Sequence, residues 1–455
     1  MIYAKDIIKL CHGEVIGNKE ITLDNFIIDS RKIEKDDVYV AIVGENNDGN
    51  KYTESALEKG AKAVIISNPK YIDINKYQDK TIIIVPDTLK CLQELARYKR
   101  SLYQGKVIAI TGSVGKTSTK DMVSALLQSE YKVHKTQGNM NNHLGLPLTI
   151  LSLKDEDILV VEMGMNHFGE ISTLTNIAKP NIAIITNIGT AHIGNLGSRE
   201  NILKAKLEIL EGLDKGGVLV INNDNDLLHE HKDEIKTKVI TIGINNQSDY
   251  MASNIQEDMF SSSFLVNEKE EVLLPQGGRA SIYNYLVGYA ICDYLGVKDK
   301  IKGLKNLESS KNRLEVKETS MGYTIIDDSY NASYDSVKNS LDLIGKSPKR
   351  KIAVLGDILE LDKYGESIHR SIAPIVIANK IDKLFLVGDM AKYIGLEATK
   401  LGYNSDNIYY FSKESDSYQT LEKELKKDDI VLFKASHCIK LNKIVDYLMN
   451  KSTEK

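Results

Sequence analysis

Short runs of apolar residues alternate along the chain with longer stretches in which apolar and polar positions recur at a helical spacing. This alternation is typical of α/β proteins, in which helices cover mainly parallel sheets. Most of the apolar runs lack a strict apolar–polar alternation, as expected for strands that are buried on both faces. The pattern therefore predicts an α/β fold with mainly parallel sheets.

The pattern divides the 455 residues into three blocks, which we predict to be three domains at residues 1–100, 101–311 and 312–455. A helix is predicted at 52–59, because Gly60 follows it and a glycine just past a helix is a common stop signal. Strands are predicted at 38–43, 63–67, 81–85, 106–110, 158–161, 182–186, 218–222, 239–242, 323–326, 351–355, 383–387 and 429–433.

Composition narrows the class of protein. The 63 acidic and 59 basic residues give a formal net charge of −4, which does not indicate a general nucleic-acid binder. The four cysteines are far apart and form no CxxC pair, so neither a zinc knuckle nor a redox motif is indicated. No apolar stretch approaches the roughly 20 residues that span a bilayer, and the first residues do not resemble a signal peptide. We therefore expect a cytoplasmic protein with neither nucleic acid nor membrane as a partner.

The strongest local motif is Thr111-Gly-Ser-Val-Gly-Lys-Thr-Ser118, which follows an apolar strand and precedes a helical pattern. That context is typical of a phosphate-binding loop, although the spacing is GxxGKT rather than the longer GxxxxGK[ST] form. Gly112 and Gly115 would allow the backbone to approach phosphates, and the loop amides would supply partial positive charge. Lys116 would reach the terminal phosphates and Thr117 would bind Mg²⁺. The alternative is a glycine-rich turn with an incidental lysine.

Polar residues follow the next strands of the same block. Glu162 ends one predicted strand, where a carboxylate could bind Mg²⁺ near the phosphate loop or could be a solvated turn residue. His192 follows the tip of the next strand and could be either structural or catalytic. Lys206 lies in an apparent helix, and its spacing alone predicts a surface lysine.

Together these segments resemble the Mur ligase family over essentially the whole chain. The segments that carry the resemblance are Asp29-Ser-Arg31 followed by VYVAIVGENNDGNKY, then TGSVGKTSTK, Gly138-Asn-Met-Asn-Asn-His-Leu-Gly-Leu-Pro147, Glu162-Met-Gly-Met-Asn-His-Phe-Gly-Glu-Ile171, Asp327-Asp-Ser-Tyr-Asn-Ala332 and Gly356-Asp-Ile-Leu-Glu-Leu361. The resemblance implies a central phosphate-loop ATPase domain, a smaller N-terminal UDP-binding α/β domain and a C-terminal Rossmann-like α/β domain that binds the acceptor.

The resemblance also implies roles for individual residues. It implies ATP binding by Gly112, Ser113, Val114, Gly115, Lys116, Thr117, Ser118, Asn284, Arg313, Asp328 and Asn331. It implies that Thr117, Glu162, His192 and Lys206 hold two Mg²⁺ ions, with Lys206 carbamylated by CO₂, and that Lys116, Lys206 and His192 act in catalysis. It implies that the UDP-linked substrate is bound by Ser30, Arg31, Asn139 and Asn142.

The implied reaction is the ATP-dependent addition of D-alanyl-D-alanine to UDP-N-acetylmuramoyl-tripeptide through an acyl phosphate, and we expect a monomer. Three departures bear on specificity: Ala280-Ser281 stands where His-Asn is usual, His437 where Arg is usual, and Asn50 where His is usual. A divergent paralogue with another amine acceptor is one alternative. A folate polyglutamate-type ligase is another, although about 100 residues precede the phosphate loop. A non-catalytic phosphate-loop protein is the third.

Overall fold

The computed structural model describes residues 1–308 and 311–453. The chain forms two compact units, each built from several segments. Unit 1 comprises Met1–Ile110, Tyr131–Ala183 and Glu208–Val218, and unit 2 comprises Thr111–Glu130, Ile184–Leu207 and Leu219–Lys455. No helix within the described ranges combines the length and apolar character needed to cross a membrane.

The strands are β1 (Ile2–Tyr3), β2 (Glu14–Ile16), β3 (Thr22–Leu23), β4 (Phe26–Ile27), β5 (Val38–Val40), β6 (Ala63–Ile66), β7 (Thr81–Ile84), β8 (Lys106–Thr111), β9 (Val133–Lys135), β10 (Ile158–Glu162), β11 (Ile182–Ile185), β12 (Val218–Asn222), β13 (Lys238–Gly243), β14 (Tyr250–Glu257), β15 (Ser262–Val266), β16 (Glu270–Leu274), β17 (Glu315–Glu318), β18 (Thr324–Asp327), β19 (Lys351–Gly356), β20 (Lys383–Val387), β21 (Ile408–Phe411) and β22 (Ile430–Lys434).

The α-helices are α1 (Ala4–Cys11), α2 (Thr53–Glu58), α3 (Thr88–Leu102), α4 (Lys116–Leu127), α5 (Gly145–Leu151), α6 (Glu170–Ala178), α7 (Ile193–Leu196), α8 (Arg199–Leu207), α9 (Asp226–His231), α10 (Arg279–Leu295), α11 (Tyr334–Gly345), α12 (Gly365–Ala378), α13 (Lys392–Lys400), α14 (Tyr418–Glu424) and α15 (Asn442–Thr453). Short 3₁₀-helices connect many of them, and those at Ser30–Lys32 and Asp362–Tyr364 bear on the site.

Unit 1 contains a five-stranded sheet with the order β2-β7-β6-β5-β4. Its strands pair in parallel except β2, which runs antiparallel to β7. Every residue of β6 is buried, as its unbroken apolar sequence predicts. The same unit holds β8, β10 and β9, which pair in parallel in that order. Glu162 is the last residue of β10 and pairs with Ile110 of β8, so its carboxylate lies at the carboxyl end of these parallel strands.

Unit 2 contains a six-stranded sheet with the order β17-β18-β22-β19-β20-β21. The edge strand β17 is antiparallel and the other pairs are parallel. Buried side chains cover both faces of this sheet, as in a doubly wound α/β fold. The unit also contains β13 and β14, which pair in parallel, and the antiparallel meander β14-β15-β16.

The predicted α/β class is confirmed, and each predicted strand is present with its ends shifted by at most a few residues. The meander β14–β16 was not predicted, because its strands alternate buried and exposed positions rather than forming apolar runs. The division into three consecutive domains stays a prediction. Ser309 and Ser310, beside the predicted boundary at 311, lie outside the described residues.

Candidate active site

The phosphate loop spans Gly112–Gly115, between the end of β8 and the start of α4. Both glycines are required by the backbone. Gly112 has φ +150°, and a Cβ there would lie 1.9 Å from the hydroxyl oxygen of Thr186. Gly115 has φ +84°, a left-handed conformation that glycine adopts most readily. Lys116 Nζ donates to the carbonyl of Gly112 at 2.8 Å and closes the loop on itself.

The segment after β11 supports this loop. Asn187 accepts hydrogen bonds from the backbone amides of Ser113 (3.1 Å, to its carbonyl) and Val114 (2.9 Å, to Oδ1). The hydroxyl of Thr186 donates to the Val114 carbonyl at 2.6 Å. The Gly189 amide donates to Ser113 Oγ at 2.9 Å. Sequence reasoning missed Asn187, although it stands in the same strand-end segment as His192. Asn187 fixes the loop by accepting two of its N–H groups, one through the backbone carbonyl and one through Oδ1.

Lys206 lies on α8 and is 1% exposed, so the surface position that its spacing predicted is wrong. Burial lowers the pKa of Lys206 well below its usual value, and the nearby cation of Lys116 lowers it further. Within the described residues no carboxylate forms an ion pair with Lys206. Burial and the nearby cation therefore both favour the neutral amine, the form of an amine that is nucleophilic.

His192 lies in unit 2 at the N-terminal end of α7, in a left-handed conformation with φ 65°. Its Nδ1 is 2.7 Å from Oε2 of Glu360, which belongs to the loop between β19 and α12. The adjacent imidazole lowers the pKa of Glu360, but His192 Nδ1 makes no hydrogen bond of ordinary geometry in the described part of the chain. Glu360 was quoted within a motif but was not predicted as a site residue, because the two positions are far apart in sequence.

Glu162 lies in unit 1 at the end of β10 and is 3% exposed. Asn141 Nδ2 donates to its Oε1 at 3.0 Å, so Asn141 is a further site residue that the sequence reasoning did not single out. Asn142 instead caps α5, since its Oδ1 accepts from the amides of Leu144 and Gly145. Asn139 accepts the Asn141 amide through its carbonyl at 2.8 Å.

Histidine, cysteine, aspartate and glutamate residues in the described ranges form no group of three or more that could hold a metal ion. The metal ligands predicted from the sequence are one carboxylate, one imidazole, one hydroxyl and one lysine, which belong to Glu162, His192, Thr117 and Lys206. A metal site built from it would need the additional anionic oxygens of a carbamate on Lys206, because Mg²⁺ prefers oxygen ligands.

The C-terminal block brings Asp328, Asn331 and Lys434 together. Lys434 Nζ lies 2.6 Å from Asp328 Oδ2 and 2.9 Å from the carbonyl oxygen of Asn331. The hydroxyl of Ser340 donates to the same Asp328 oxygen at 2.6 Å. Asp328 is thus fixed by buried partners, and Lys434 was not predicted among the site residues.

Arg313 lies over the ring of Tyr330, with its guanidinium carbon 4.0 Å from the ring centroid. The centroid of the His437 ring lies 5.9 Å from that of the Tyr330 ring. Tyr330 therefore lies next to both Arg313 and His437. A guanidinium stacked on an aromatic face is restrained in orientation. His437 stands where Arg is usual in the family, and it lies beside Tyr330, the ring on which Arg313 stacks.

Asn284 lies on α10, and its Oδ1 accepts the hydroxyl of Thr119 on α4 at 2.8 Å. This bond places Asn284 beside the helix that follows the phosphate loop. Ser281, one of the departing residues, donates its hydroxyl to the Gly278 carbonyl at 2.7 Å. The Ser281 hydroxyl thus bonds within the first turn of α10.

Ser30 and Arg31 lie in unit 1, in the 3₁₀-helix Ser30–Lys32. Arg31 forms a two-pronged ion pair with Asp29, with both N–O distances at 2.9 Å. The guanidinium lowers the pKa of Asp29 to about 2. Lys59 Nζ donates to the Ser30 carbonyl at 2.9 Å.

Asn50, which stands where His is usual in the family, is buried. Its Oδ1 accepts hydrogen bonds from the backbone amides of Ser67 and Asn68, so the side chain fixes the backbone after β6.

Comparison with known proteins agrees with this arrangement. Residues 23–100 match the Mur ligase family catalytic domain, residues 110–292 the Mur ligase middle domain, and residues 312–437 the Mur ligase glutamate ligase domain. The chain is 37% identical over 457 residues to UDP-N-acetylmuramoyl-tripeptide--D-alanyl-D-alanine ligase of Bacillus subtilis, with 98% of each chain covered. It is 32% identical to the Escherichia coli ligase of the same description, over 85% of each.

Solved structures give the same picture. MurF from Acinetobacter baumannii superposes with a TM-score of 0.88 at 29% identity, over 98% of both chains. MurF from Thermotoga maritima in complex with ADP gives 0.82 at 28% identity, over 95% of this chain and 98% of that one. The fold and the phosphate loop define a nucleotide-binding enzyme of the ligase class. The chain belongs to the Mur ligase family.

Proposed function

We propose that this chain joins D-alanyl-D-alanine to UDP-N-acetylmuramoyl-tripeptide at the expense of ATP, in the synthesis of peptidoglycan precursors. The observation that carries the proposal is the near full-length match to ligases with that activity, at up to 37% identity, on a chain whose phosphate loop is formed. The likeness to a pseudomurein peptide ligase from Methanothermus fervidus at 18% identity, and to the Mycobacterium tuberculosis folylpolyglutamate synthase at 15%, supports the fold and carries no argument for either activity.

The reaction has two steps. The γ-phosphoryl group passes from ATP to the terminal carboxylate of the tripeptide, which releases ADP and leaves an acyl phosphate. The free amine of the dipeptide then attacks the acyl carbon; the C–N bond forms, the C–O bond to phosphate breaks, and the amine loses a proton. Lys116 would neutralise negative charge on the transferring group, as in other phosphate-loop enzymes. The phosphate leaving group makes the carboxyl carbon a competent acyl donor.

The proposal includes two Mg²⁺ ions and a carbamate on Lys206. A neutral amine adds CO₂ to give a carbamate anion and a proton, and burial beside Lys116 favours that neutral amine. Thr117, Glu162, His192 and the carbamate would then hold the ions, which supply Lewis-acid stabilisation of phosphoryl oxygens when bound. His192 is already held by Glu360, and Glu162 by Asn141.

The nucleotide and the two substrates are assigned to the three predicted domains. Residues 1–100 would bind the UDP-linked substrate, residues 101–311 ATP, and residues 312–455 the incoming dipeptide. The proposed ATP ligands are Gly112, Ser113, Val114, Gly115, Lys116, Thr117, Ser118, Asn284, Arg313, Asp328 and Asn331. The proposed ligands of the UDP-linked substrate are Ser30, Arg31, Asn139 and Asn142.

The test is to measure ADP and phosphate release with ATP, Mg²⁺ and UDP-N-acetylmuramoyl-tripeptide, with and without D-alanyl-D-alanine. We expect phosphate release that depends on the dipeptide, and a product heavier than the tripeptide substrate by one dipeptide less water. Turnover that depends on another amine but not on D-alanyl-D-alanine would overturn the acceptor assignment. It would favour the paralogue alternative, for which the departures at Ala280, Ser281 and His437 are the candidate cause.

A further inference from the structure

The segment 186–190, which follows β11, contacts the phosphate loop along one side. The side chain of Asn187 accepts the Val114 amide at 2.9 Å and donates to the Val114 carbonyl at 3.1 Å. The Gly189 amide donates to Ser113 Oγ at 2.9 Å. The conformation of the phosphate loop therefore depends on where this segment is held.

Asp335, near the start of α11, holds the far end of the segment 186–190. Its Oδ2 accepts the Thr190 amide at 3.0 Å and the Thr190 hydroxyl at 3.3 Å. A Cβ on Gly189 would lie 2.2 Å from the same oxygen, and the three atoms nearest to that Cβ all belong to Asp335. The carboxylate therefore packs directly against the Gly189 backbone. A continuous set of contacts thus connects Asp335, through Gly189, to Ser113 of the phosphate loop.

The middle of the segment has separate anchors. Ile188 is fully buried, and its carbonyl oxygen accepts Arg199 Nη2 at 2.7 Å and Asn225 Nδ2 at 3.1 Å. Arg199 is itself held by a two-pronged ion pair with Asp226. The starts of α8 and α9 therefore fix the middle of the segment, whereas Asp335 adds an anchor from the C-terminal block. Loss of the Asp335 carboxylate should thus loosen the end of the segment without unfolding it.

An acidic residue in the first turn of a helix can also serve the helix alone, by stabilising its N-terminus. In α11 that end is already capped by two serines. Ser333 Oγ accepts the Ser336 amide at 3.4 Å, and Ser336 Oγ accepts the Ser333 amide at 2.9 Å. The Asp335 carboxylate is directed instead at Thr190. Its contacts therefore favour a role in holding the segment over a role in capping the helix.

We propose that Asp335 is a positioning residue: it holds the segment 186–190 so that the phosphate loop has the conformation that binds nucleotide phosphates. Backbone N–H groups bind an anion well when they converge on its position before it arrives, because less ordering is then needed on binding. A carboxylate repels a phosphate, so Asp335 acts through the segment and not by contact with the nucleotide. The inference rests on the proposed role of the phosphate loop in ATP binding.

The first test needs no ligand. Hydrogen exchange of the backbone amides is measured on the full chain for the peptide that covers residues 111–118. We expect faster exchange there in Asp335→Ala, because two loop amides are bonded to the segment that this substitution releases. Asp342→Ala is the matched control, since Asp342 lies on the same helix and bonds only within the C-terminal block among the described residues. Unchanged exchange in Asp335→Ala, or an equal rise across the whole of unit 2, would overturn the proposal.

The second test measures ADP binding by calorimetry in the presence of Mg²⁺. Asp335→Ala should bind ADP about 10-fold more weakly, the usual effect of losing a hydrogen bond to a charged group. Asp335→Asn keeps an oxygen that can accept from Thr190, so its affinity should fall by less than about 3-fold. Asp342→Ala should bind ADP as the unmodified protein does. Unchanged affinity in Asp335→Ala, or an equal loss in Asp335→Asn, would contradict the proposal.

A double-mutant cycle tests the contact itself. The backbone of Gly189 is not left-handed, and the atoms that a Cβ there would first meet are those of Asp335. Gly189→Ala should therefore displace the carboxylate and weaken ADP binding about as much as Asp335→Ala. In the Asp335→Ala background the same substitution should change the affinity by less than about 2-fold, because substitutions that act through one contact are not additive. Additive losses would show that the two residues act independently and would overturn the proposal.

The outcomes also separate this inference from the proposed function. If Asp335→Ala loosens the loop and weakens ADP binding but the unmodified protein has no dipeptide-dependent turnover, Asp335 still positions the phosphate loop and the proposed ligase reaction is wrong. If turnover is present and neither exchange nor ADP affinity changes in Asp335→Ala, the reaction stands and the inference is wrong. If the unmodified protein does not bind ADP, the inference is wrong together with the proposed nucleotide site.

Discussion

Two buried lysines of unit 2 have opposite surroundings. Lys206 and Lys434 are 1% and 2% exposed. Lys434 lies at the end of β22, where its ammonium group contacts the Asp328 carboxylate and two backbone carbonyls. Lys206, on α8, has a second cation nearby and no carboxylate partner among the described residues. The same side chain thus has a counter-charge at one site and, among the described residues, lacks one at the other.

The difference separates a structural lysine from a reactive one. A buried ammonium ion is tolerated where a counter-charge and hydrogen bonds replace water, and the pair then joins the elements that carry it. Without such partners the charged form is penalised, and the amine becomes available for chemistry at neutral pH. We infer that Lys434 stabilises the segment around Asp328, whereas Lys206 serves the reaction.

The largest expected effect is that of Lys206→Ala. Turnover should fall by about 1,000-fold, roughly 4 kcal/mol of activation free energy, because the anionic metal ligand is lost. Bicarbonate should not restore the activity, whereas short carboxylic acids should restore part of it by supplying a carboxylate in the vacated space. Lys204→Ala, an exposed lysine on the same helix, is the control and should keep full turnover. Full activity in Lys206→Ala would refute the role.

Lys434→Met should act on stability. Removal of one partner from a buried ion pair leaves the other charge uncompensated, which costs about 3 kcal/mol of unfolding free energy. Urea unfolding should show a lower midpoint, whereas Lys427→Met, at an exposed position, should leave it unchanged. If Lys434→Met is as stable as the unmodified protein but inactive, Lys434 would belong with Lys206 and the comparison would fail.

Thr117→Ala addresses the same metal site as Lys206. Loss of one hydroxyl ligand should raise the Mg²⁺ concentration for half-maximal turnover by about 10-fold, close to 1.4 kcal/mol. Thr117→Ser keeps the hydroxyl and should restore the original dependence. An unchanged Mg²⁺ dependence in Thr117→Ala would remove Thr117 from the proposed ligands.

His369 is a third buried basic group and should give the smallest effect. Burial lowers the pKa of His369 below its usual value, so the folded protein favours the neutral ring. The unfolded chain, with a histidine pKa of about 6.5, then binds more protons in acid. The stability is fully present above that pH and falls as the pH drops through the folded-state pKa, by at most about 1.4 kcal/mol per pH unit. His369→Gln should reduce this dependence in urea unfolding at neutral and acidic pH; an unchanged slope would contradict it.

The sequence predicted the features that neighbouring residues form and missed the contacts between segments that are distant in sequence. The phosphate loop was predictable because two glycines, a lysine and a threonine lie within six positions. Asn187, Asn141 and Glu360 were missed because each contacts residues of a segment that is distant in sequence. The spacing around Lys206 predicted exposure, and only the family resemblance indicated a role for this lysine in the site. The burial comes from packing around α8, which one short polar helix does not reveal.

The most direct test of the contrast between the two lysines is ¹³C NMR of the protein with ¹³C-labelled bicarbonate. The account predicts one protein carbamate resonance in the unmodified protein and in Lys434→Met, and its loss in Lys206→Ala. The resonance should persist in Lys204→Ala, which removes an exposed lysine from the same helix. A carbamate resonance that survives in Lys206→Ala, or none in the unmodified protein, would contradict the claim that the buried, unpaired lysine is the reactive one.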